Sequence, residues 1–509
     1  MAKKIAKVYS AATFGLEAHE VEVEVDLGAG LASFLIVGLP DKAIDEARER
    51  VRSAIKNSDF NFPDHRLTVN LAPADIKKEG PAYDLPIAIG ILIAGGQVPR
   101  IEKEESFFIG ELSLNGEIRR VNGILPIVIM AKEHHFTKIY LPEENLLEAS
   151  IIDGIEIYPV KSLEQLVAHL RSEKLIEPVI ERIDLRKIVD QEIFEDDFLD
   201  ISGQEQAKRA MEIAAAGGHN ILLSGPPGSG KTLLAKSFAS ILPKLDYQEM
   251  IEITKIYSIA GLLKETLIKN RPIRSPHHTT SNIALIGGGQ YPRPGEISLS
   301  HRGVLFLDEF PEFQRSVIEA LRQPLEDGVV TVSRAQGSLT FPAEFILVAA
   351  QNPCPCGYLT DPDRECLCTP TQIIRYQKKI SGPMLDRIDI HIEVPRLKFE
   401  KLESPNKCES SAEIRKRVVT ARERQKKRFQ GKIKSNSLMR AKDIKHFCRI
   451  DDQAREVLKN AVSRYSLSAR SYHKIIKIAQ TIADLGGQEI ISASQIAEAL
   501  QYRPKERNY

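Results

Sequence analysis

Apolar and acidic residues alternate from Val21 to Leu27, which predicts a half-buried strand. Between Asp41 and Asn57 the period lengthens. Ile44, Ala47, Val51 and Ile55 fall on one face of a helix. Leu67–Leu71 reads as a buried strand, Ile124–Glu133 as a helix and Lys138–Leu141 as a strand. Residues 1–170 are therefore expected to form an α+β domain. A charged connector, 171–200, ends in Glu195, Asp196 and Asp197. Beyond it helices and short apolar strands alternate: helix Gln204–Ala216, strand Asn220–Ser224, helix Gly230–Leu242, then strands Gly303–Leu307 and Phe345–Ala350. Such alternation predicts a parallel sheet with covering helices over 201–400. The remainder, 401–509, reads as helical and basic.

Length and composition change this picture little. The 509 residues suit about three domains, and the formal net charge of +1 neither implies nor excludes nucleic acid. The longest apolar run, Leu85–Ala94, is far short of the ~20 residues of a membrane span, and no signal peptide is read at the N-terminus. Four of the six cysteines lie in one short segment, as in a metal site of a reducing compartment. A cytoplasmic protein with no membrane partner is expected.

Gly225, Pro226, Pro227, Gly228, Ser229, Gly230, Lys231 and Thr232 fit G-x-x-x-x-G-K-[ST], with a strand before and a helix after. Glycines let backbone N–H groups close around phosphate oxygens, and the helix N-terminus adds a favourable dipole. Lys231 is expected on the β/γ-phosphates of ATP and Thr232 on Mg2+. The apolar strand ending in Asp308 and Glu309 supplies the complement: Asp308 for Mg2+, Glu309 to polarise the attacking water. Asn352 follows the next strand, where a polar side chain can order that water. Arg387 lies in Asp386-Arg-Ile-Asp389. It suits either a finger reaching a neighbouring subunit's ATP or a local ion pair with Asp386 or Asp389.

Further segments carry a resemblance. Arg274-Ser-Pro-His-His-Thr-Thr-Ser281, Pro294-Gly-Glu-Ile-Ser298, His301–Glu309, Leu321–Gly328, Ala350–Gly357, Ser381–Asp389, Leu467–His473 and Ile496–Arg503 follow one another as in the magnesium-chelatase-like AAA+ ATPases of the YifB/ComM family. The resemblance covers essentially the whole chain. It implies an α/β fold: an N-terminal α+β domain similar to the Lon protease domain, a central P-loop AAA+ domain with a parallel sheet, and a C-terminal helical lid. It further implies a homohexamer with ATP between subunits, Asn352 as sensor 1, Arg387 as the finger, Arg470 as sensor 2 on the nucleotide, and pore-facing insertions over about 259–297. Members of this family resemble branch-migration helicases acting on DNA during natural transformation. Arg302 departs from the pattern, which has a small or uncharged residue there.

The Lon likeness is testable by residue. The segment that would hold the nucleophile reads Gly80-Pro81-Ala82-Tyr83-Asp84, and the lysine position holds Leu125. Without serine and lysine the acyl-transfer chemistry cannot run, and the nearby Lys77 and Lys78 have nothing to activate. No protease activity is expected; a structural and a DNA-contacting role for the domain stand level.

Cys354, Cys356, Cys366 and Cys368 match the ligand count of a structural Zn2+ site, although C-x-C pairs are tighter than the common C-x-x-C knuckle. A redox-active pair or unliganded thiols are the other readings. From Glu413 to Arg449 fourteen Lys/Arg face three acids. The run suits either phosphate neutralisation or a solvated helical face. With no interleaved aromatics, any DNA contact, to single-stranded or branched DNA, is expected to be non-sequence-specific. The leading expectation is thus an ATP-driven DNA motor; the alternative is a remodeler of a protein partner.

Overall fold

A computed structural model describes residues 5–38, 42–75, 78, 80–102, 105–179, 196–289, 292–334, 337–397 and 408–504. Asp41, Lys77, Glu195, most of the expected connector and the expected boundary near residue 400 lie outside these. The chain divides into two compact units: 1–190 with 250–269, and 191–249 with 270–509.

The first unit is built on a seven-stranded mixed sheet. Its strands are β1 (Ala6–Phe14), β2 (Glu17–Gly28), β3 (Ser33–Val37), β4 (Arg66–Ala72), β5 (Ser106–Phe108), β6 (Lys138–Pro142) and β7 (Glu156–Val160), in the order β3-β4-β2-β1-β5-β6-β7. β2 pairs antiparallel with both β1 and β4; the other neighbours are parallel. The period-two pattern decides which way β2 faces. Val21, Val23 and Val25 are fully buried, while Glu22 and Glu24 turn to the other side around Lys7 of β1. The helix Lys42–Asn57 buries all four residues of its apolar face. Each fully buried Ile or Val there is worth about 1.5–3 kcal/mol of transfer free energy. The apolar run 85–94 becomes the helix Asp84–Ala94, buried on every side. Its one charged residue, Asp84, is held by Arg50, with Nε on Oδ2 at 2.8 Å and Nη2 on Oδ1 at 3.1 Å.

Ala82 lies in the 3-10 turn Pro81–Tyr83 that leads into this helix. Leu125 is fully buried in the first turn of Ile124–Glu133, its N–H donated to Glu148 Oε1 at 3.0 Å. Lys78 is buried with its ammonium on the Pro73 carbonyl, and burial lowers its pKa. Part of the helix Tyr247–Ala260 and the segment after it, up to Lys269, belong to this unit. Ser258 is bonded to the buried Glu148 and accepts from Gly123 N at 3.2 Å.

The second unit carries a five-stranded parallel sheet. Its strands are β8 (Ile221–Ser224), β9 (Ile273–Arg274), β10 (Val304–Leu307), β11 (Ile346–Gln351) and β12 (Ile390–Glu393), in the order β9-β10-β11-β8-β12. The strand order reverses around β8, placing the C-terminal ends of β8, β10 and β11 side by side. Crevices at such ends are where open α/β sheets bind ligands. The helix expected to run to Leu242 is α-helical only over Lys231–Ser237 and tightens to 3-10 over Phe238–Ile241. Helices Ser411–Phe429, Ala441–Phe447, Asp452–Tyr465, Ala469–Leu485 and Ala493–Gln501 follow. Val418, Ala421, Ile476, Ala479 and Ile496 from these helices share one buried core with Ile221, Val348 and Ile390 of the sheet. A polar joint reinforces it: His219 before β8 bonds Thr481 at 2.9 Å and faces Asp389 at 3.4 Å.

No helix among the described residues is long and apolar enough to cross a membrane.

Candidate nucleotide-hydrolysis site

The loop between β8 and Lys231–Ser237 is shaped by its glycines. Gly228 and Gly230 have φ of 75° and 91°, with open space where a side chain would stand. Such left-handed backbone turns N–H groups inward, and glycine adopts it without penalty. At Gly225 the constraint is space: a Cβ there would lie 2.1 Å from the Val394 carbonyl oxygen. Lys231 Nζ donates to the carbonyls of Gly225 (2.7 Å) and Pro226 (2.9 Å) and to Asn352 Oδ1 (3.3 Å). Burial lowers its pKa, with Asp308 opposing. Ser229 Oγ is buried without a partner. A buried cation, inward N–H groups and an unmatched hydroxyl make a cradle suited to polyphosphate.

The adjacent strand supplies the carboxylates. Thr232 Oγ1 donates to Asp308 Oδ2 at 2.9 Å, and Asp308 Oδ1 accepts from Glu309 N at 2.9 Å. Thr232 and Asp308 are thus paired as hard oxygen donors, the set Mg2+ prefers. Glu309 holds φ of 50°, a strained conformation for a non-glycine residue, and its Oε2 sits 3.0 Å from His278 Nδ1. Lys231, Thr232, Asp308, Glu309 and Asn352 therefore meet at the ends of three neighbouring strands.

Two further predicted residues meet elsewhere. Arg387 Nη2 and Arg470 Nη2 share Glu326 Oε1, at 2.6 and 2.9 Å. Arg387 and then Arg470 hold the Glu326 carboxyl below its ordinary pKa. Arg387 is only 9% exposed, and its Nη1 bonds the Pro383 carbonyl at 2.6 Å. Asp389, one of the two local partners that the spacing offers it, faces His219 instead, at 3.4 Å. Burial opposes the Asp389 carboxylate, but His219 and nearby lysines hold its pKa at about 2.

The cysteine thiols of 354, 356, 366 and 368 lie within 4.8 Å of one another. Arg302 pairs with Glu344 and takes no part in the cradle. Arg274 is engaged bidentately by Glu296 at 2.6 and 2.7 Å. Within the basic run several arginines are turned inward. Arg415 bonds the Ser240 carbonyl, Arg417 pairs with Glu212 and Glu409, Arg422 bonds Ala215 O, and Arg428 pairs with Asp484. Lys416, Lys426, Lys427, Lys432, Lys442 and Lys445 stay exposed.

Sequence reading missed the part three residues play at this site. Gln204 Nε2 donates to Ser229 O (3.2 Å) and Pro395 O (2.7 Å), tying the cradle to the start of the helix Glu205–Gly217. A cavity of about 750 Å³ opens there, lined by Gln204, Lys208, Arg209, Pro395, Ile414 and Arg417 among others. His278 and Glu326 are the other two. Their partners lie on separate strands and helices, so no local spacing signals them.

The fold and this site define a P-loop ATPase of the AAA+ class. Comparison with known proteins agrees. Residues 197–402 match the family "Magnesium chelatase, subunit ChlI", 23–145 match "Subunit ChlI of Mg-chelatase", and 408–503 match "Magnesium chelatase, subunit ChlI C-terminal". The chain is 43% identical over 501 residues to competence protein ComM of Haemophilus influenzae, covering 98% of this chain and 97% of that protein. It is 41% identical over 504 residues to YifB of Escherichia coli, covering 98% and 97%. Likeness to the magnesium-chelatase 67 kDa subunit of Chlorobaculum tepidum is 29% over 162 residues, 31% of this chain and 23% of that one. The chain belongs to the magnesium-chelatase-like ComM/YifB family.

Proposed function

We propose that this ATPase is a DNA motor, a homohexameric translocase that promotes branch migration of DNA in the cytoplasm. The observation that carries the reading is the likeness, over nearly the whole chain, to a protein named for competence. The exposed lysines from Lys416 to Lys445 support it, because clustered ammonium groups neutralise phosphates without reading bases.

In this reading Lys231 and the loop N–H groups hold the β/γ-phosphates, and Thr232 and Asp308 hold Mg2+. The metal when bound screens the charge on the phosphates. Glu309 polarises the water that Asn352 orders. The cavity beside Gln204 receives the base. Arg387 leaves Glu326 to act as the finger on a neighbour's site, and Arg470 turns to the nucleotide as sensor 2. The N-terminal unit is a Lon-protease-like fold without the Ser-Lys pair, and the four-cysteine loop is the seat of a structural zinc ion.

The test is unwinding of a labelled four-way junction by purified protein with ATP and Mg2+. Junction conversion that is lost in Lys231→Ala supports the motor. A protein that hydrolyses ATP but neither binds nor converts any DNA would refute it and favour remodeling of a protein partner.

A further inference from the structure

The thiols of Cys354, Cys356 and Cys366 are spaced at 3.4, 3.6 and 3.7 Å, and Cys368 completes a group within 4.8 Å. Tetrahedral zinc with Zn–S bonds of about 2.3 Å requires sulfur–sulfur edges of about 3.8 Å. Three of the sulfurs are thus already at the spacing of a tetrathiolate shell, with the fourth, Cys368, beside them. Cys354 is fully buried and all four are free thiols.

The position of this shell is as telling as its shape. Cys354 follows two residues after Asn352, whose Oδ1 meets Lys231 Nζ. Gly357, one residue after Cys356, adopts φ of 86° and lies flat against the P-loop. A Cβ there would come within 2.6 Å of Pro227 Cδ and 3.8 Å of Asn352 Cγ. From the other side, the helix Pro370–Gln377 begins two residues after Cys368. Its Gln377 Nε2 donates to Pro353 O, next to Asn352, at 3.3 Å. Asn352 is therefore enclosed by the cysteine loop, the P-loop and this helix.

We propose that one Zn2+ held by Cys354, Cys356, Cys366 and Cys368 braces the hydrolysis site, fixing Asn352 and Pro227 in place so that turnover depends on the metal. This rests on residues 225–232 forming the ATP site. Asn352 and the cysteine loop act here as positioning elements, the loop through Asn352 and Pro227. Without the ion, four thiols in a short loop have no reason to stay together, and Gly357 is released from Pro227. The loss falls on orientation of the water rather than on capture of the phosphates. Turnover then drops on the order of tenfold while the Kd for ATP stays within about threefold, the scale on which outer-shell supports act.

The experiment uses the full-length protein purified under reducing conditions. Elemental analysis is expected to give one zinc per chain. Protein produced with cobalt in place of zinc is expected to show the thiolate-to-cobalt absorption of a tetrahedral site. Cys366→Ser is expected to lose the metal and about tenfold in turnover while still binding a fluorescent ATP analogue. Gly357→Ala keeps all four thiols but drives a methyl into Pro227, so it should retain zinc while turnover falls about tenfold; it also serves if Cys366→Ser does not fold. Wild-type protein free of zinc, or carrying disulfides instead, overturns the metal site. Metal-free Cys366→Ser or zinc-loaded Gly357→Ala hydrolysing ATP at the wild-type rate overturns the brace. Full turnover in Lys231→Ala would instead overturn the ATP-site reading beneath it.

Discussion

Substituting Gly225 by alanine tests the cradle by the room it leaves. A Cβ at Gly225 would stand 2.1 Å from the Val394 carbonyl oxygen, and 3.0 Å is the nearest that real Cβ contacts come. The carbonyl belongs to the backbone that continues β12, and Val394 N is itself bonded to Ser224 O at 2.8 Å. Neither side can yield alone, so the loop must part from β12 by roughly 1 Å. Lys231 is anchored on the Gly225 carbonyl and moves with it. A misplacement of about 1 Å in a positioned reacting group costs on the order of 10²-fold in rate. Gly225→Ala is therefore expected to lower kcat for ATP hydrolysis about 100-fold, with the sheet intact by circular dichroism. Gly228→Ala is the control: nothing lies within 4 Å of its Cβ, and only the φ of 75° opposes it. That strain is worth about 1 kcal/mol and should cost roughly fivefold. Wild-type turnover in Gly225→Ala, or a larger loss in Gly228→Ala, would refute the packing argument.

Three other outcomes are expected. Glu309→Gln keeps the shape of the side chain but not its charge; single-turnover hydrolysis should fall by about 10²–10⁴-fold with ATP binding retained. His391, on β12, is held neutral by burial and by Lys474, with its pKa lowered to about 4. An unfolded histidine titrates near 6.5, so below that pH the unfolded chain gains protons first and stability falls. The loss should reach about 3 kcal/mol by pH 4, and His391→Gln should lack that part of the acid sensitivity in denaturant melts. Lys426→Ala/Lys427→Ala should weaken binding to any DNA sequence alike and reduce the salt slope by about two, measured by fluorescence anisotropy.

Much of this was legible because it is local. Gly225–Thr232 and the strand that ends at Asp308 carry their geometry in adjacent residues, and the helical face of Ile44, Val51 and Ile55 follows from period alone. What was not legible depends on strands that meet only in the folded sheet. Glu309 finds His278 across β9 and β10. Glu326 gathers Arg387 and Arg470 from distant segments, whereas the local spacing around Arg387 points to Asp386 and Asp389. The basic run misleads most. Arg415, Arg422 and Arg428 sit at helical spacing that serves the interior, where their forked guanidinium groups reach carbonyls and a carboxylate. The exposed positive surface is therefore largely lysine, and the spacing could not separate the two. Residues 250–269 joining the first unit likewise has no signal in a continuous helical pattern.

The most direct measurement is the steady-state ATPase rate of the purified protein, alone and with single-stranded, duplex and forked DNA. The account predicts Mg2+-dependent turnover that rises with DNA, most with the forked substrate, and that disappears in Lys231→Ala. Turnover indifferent to every DNA would contradict the motor, and turnover that survives Lys231→Ala would contradict the site itself.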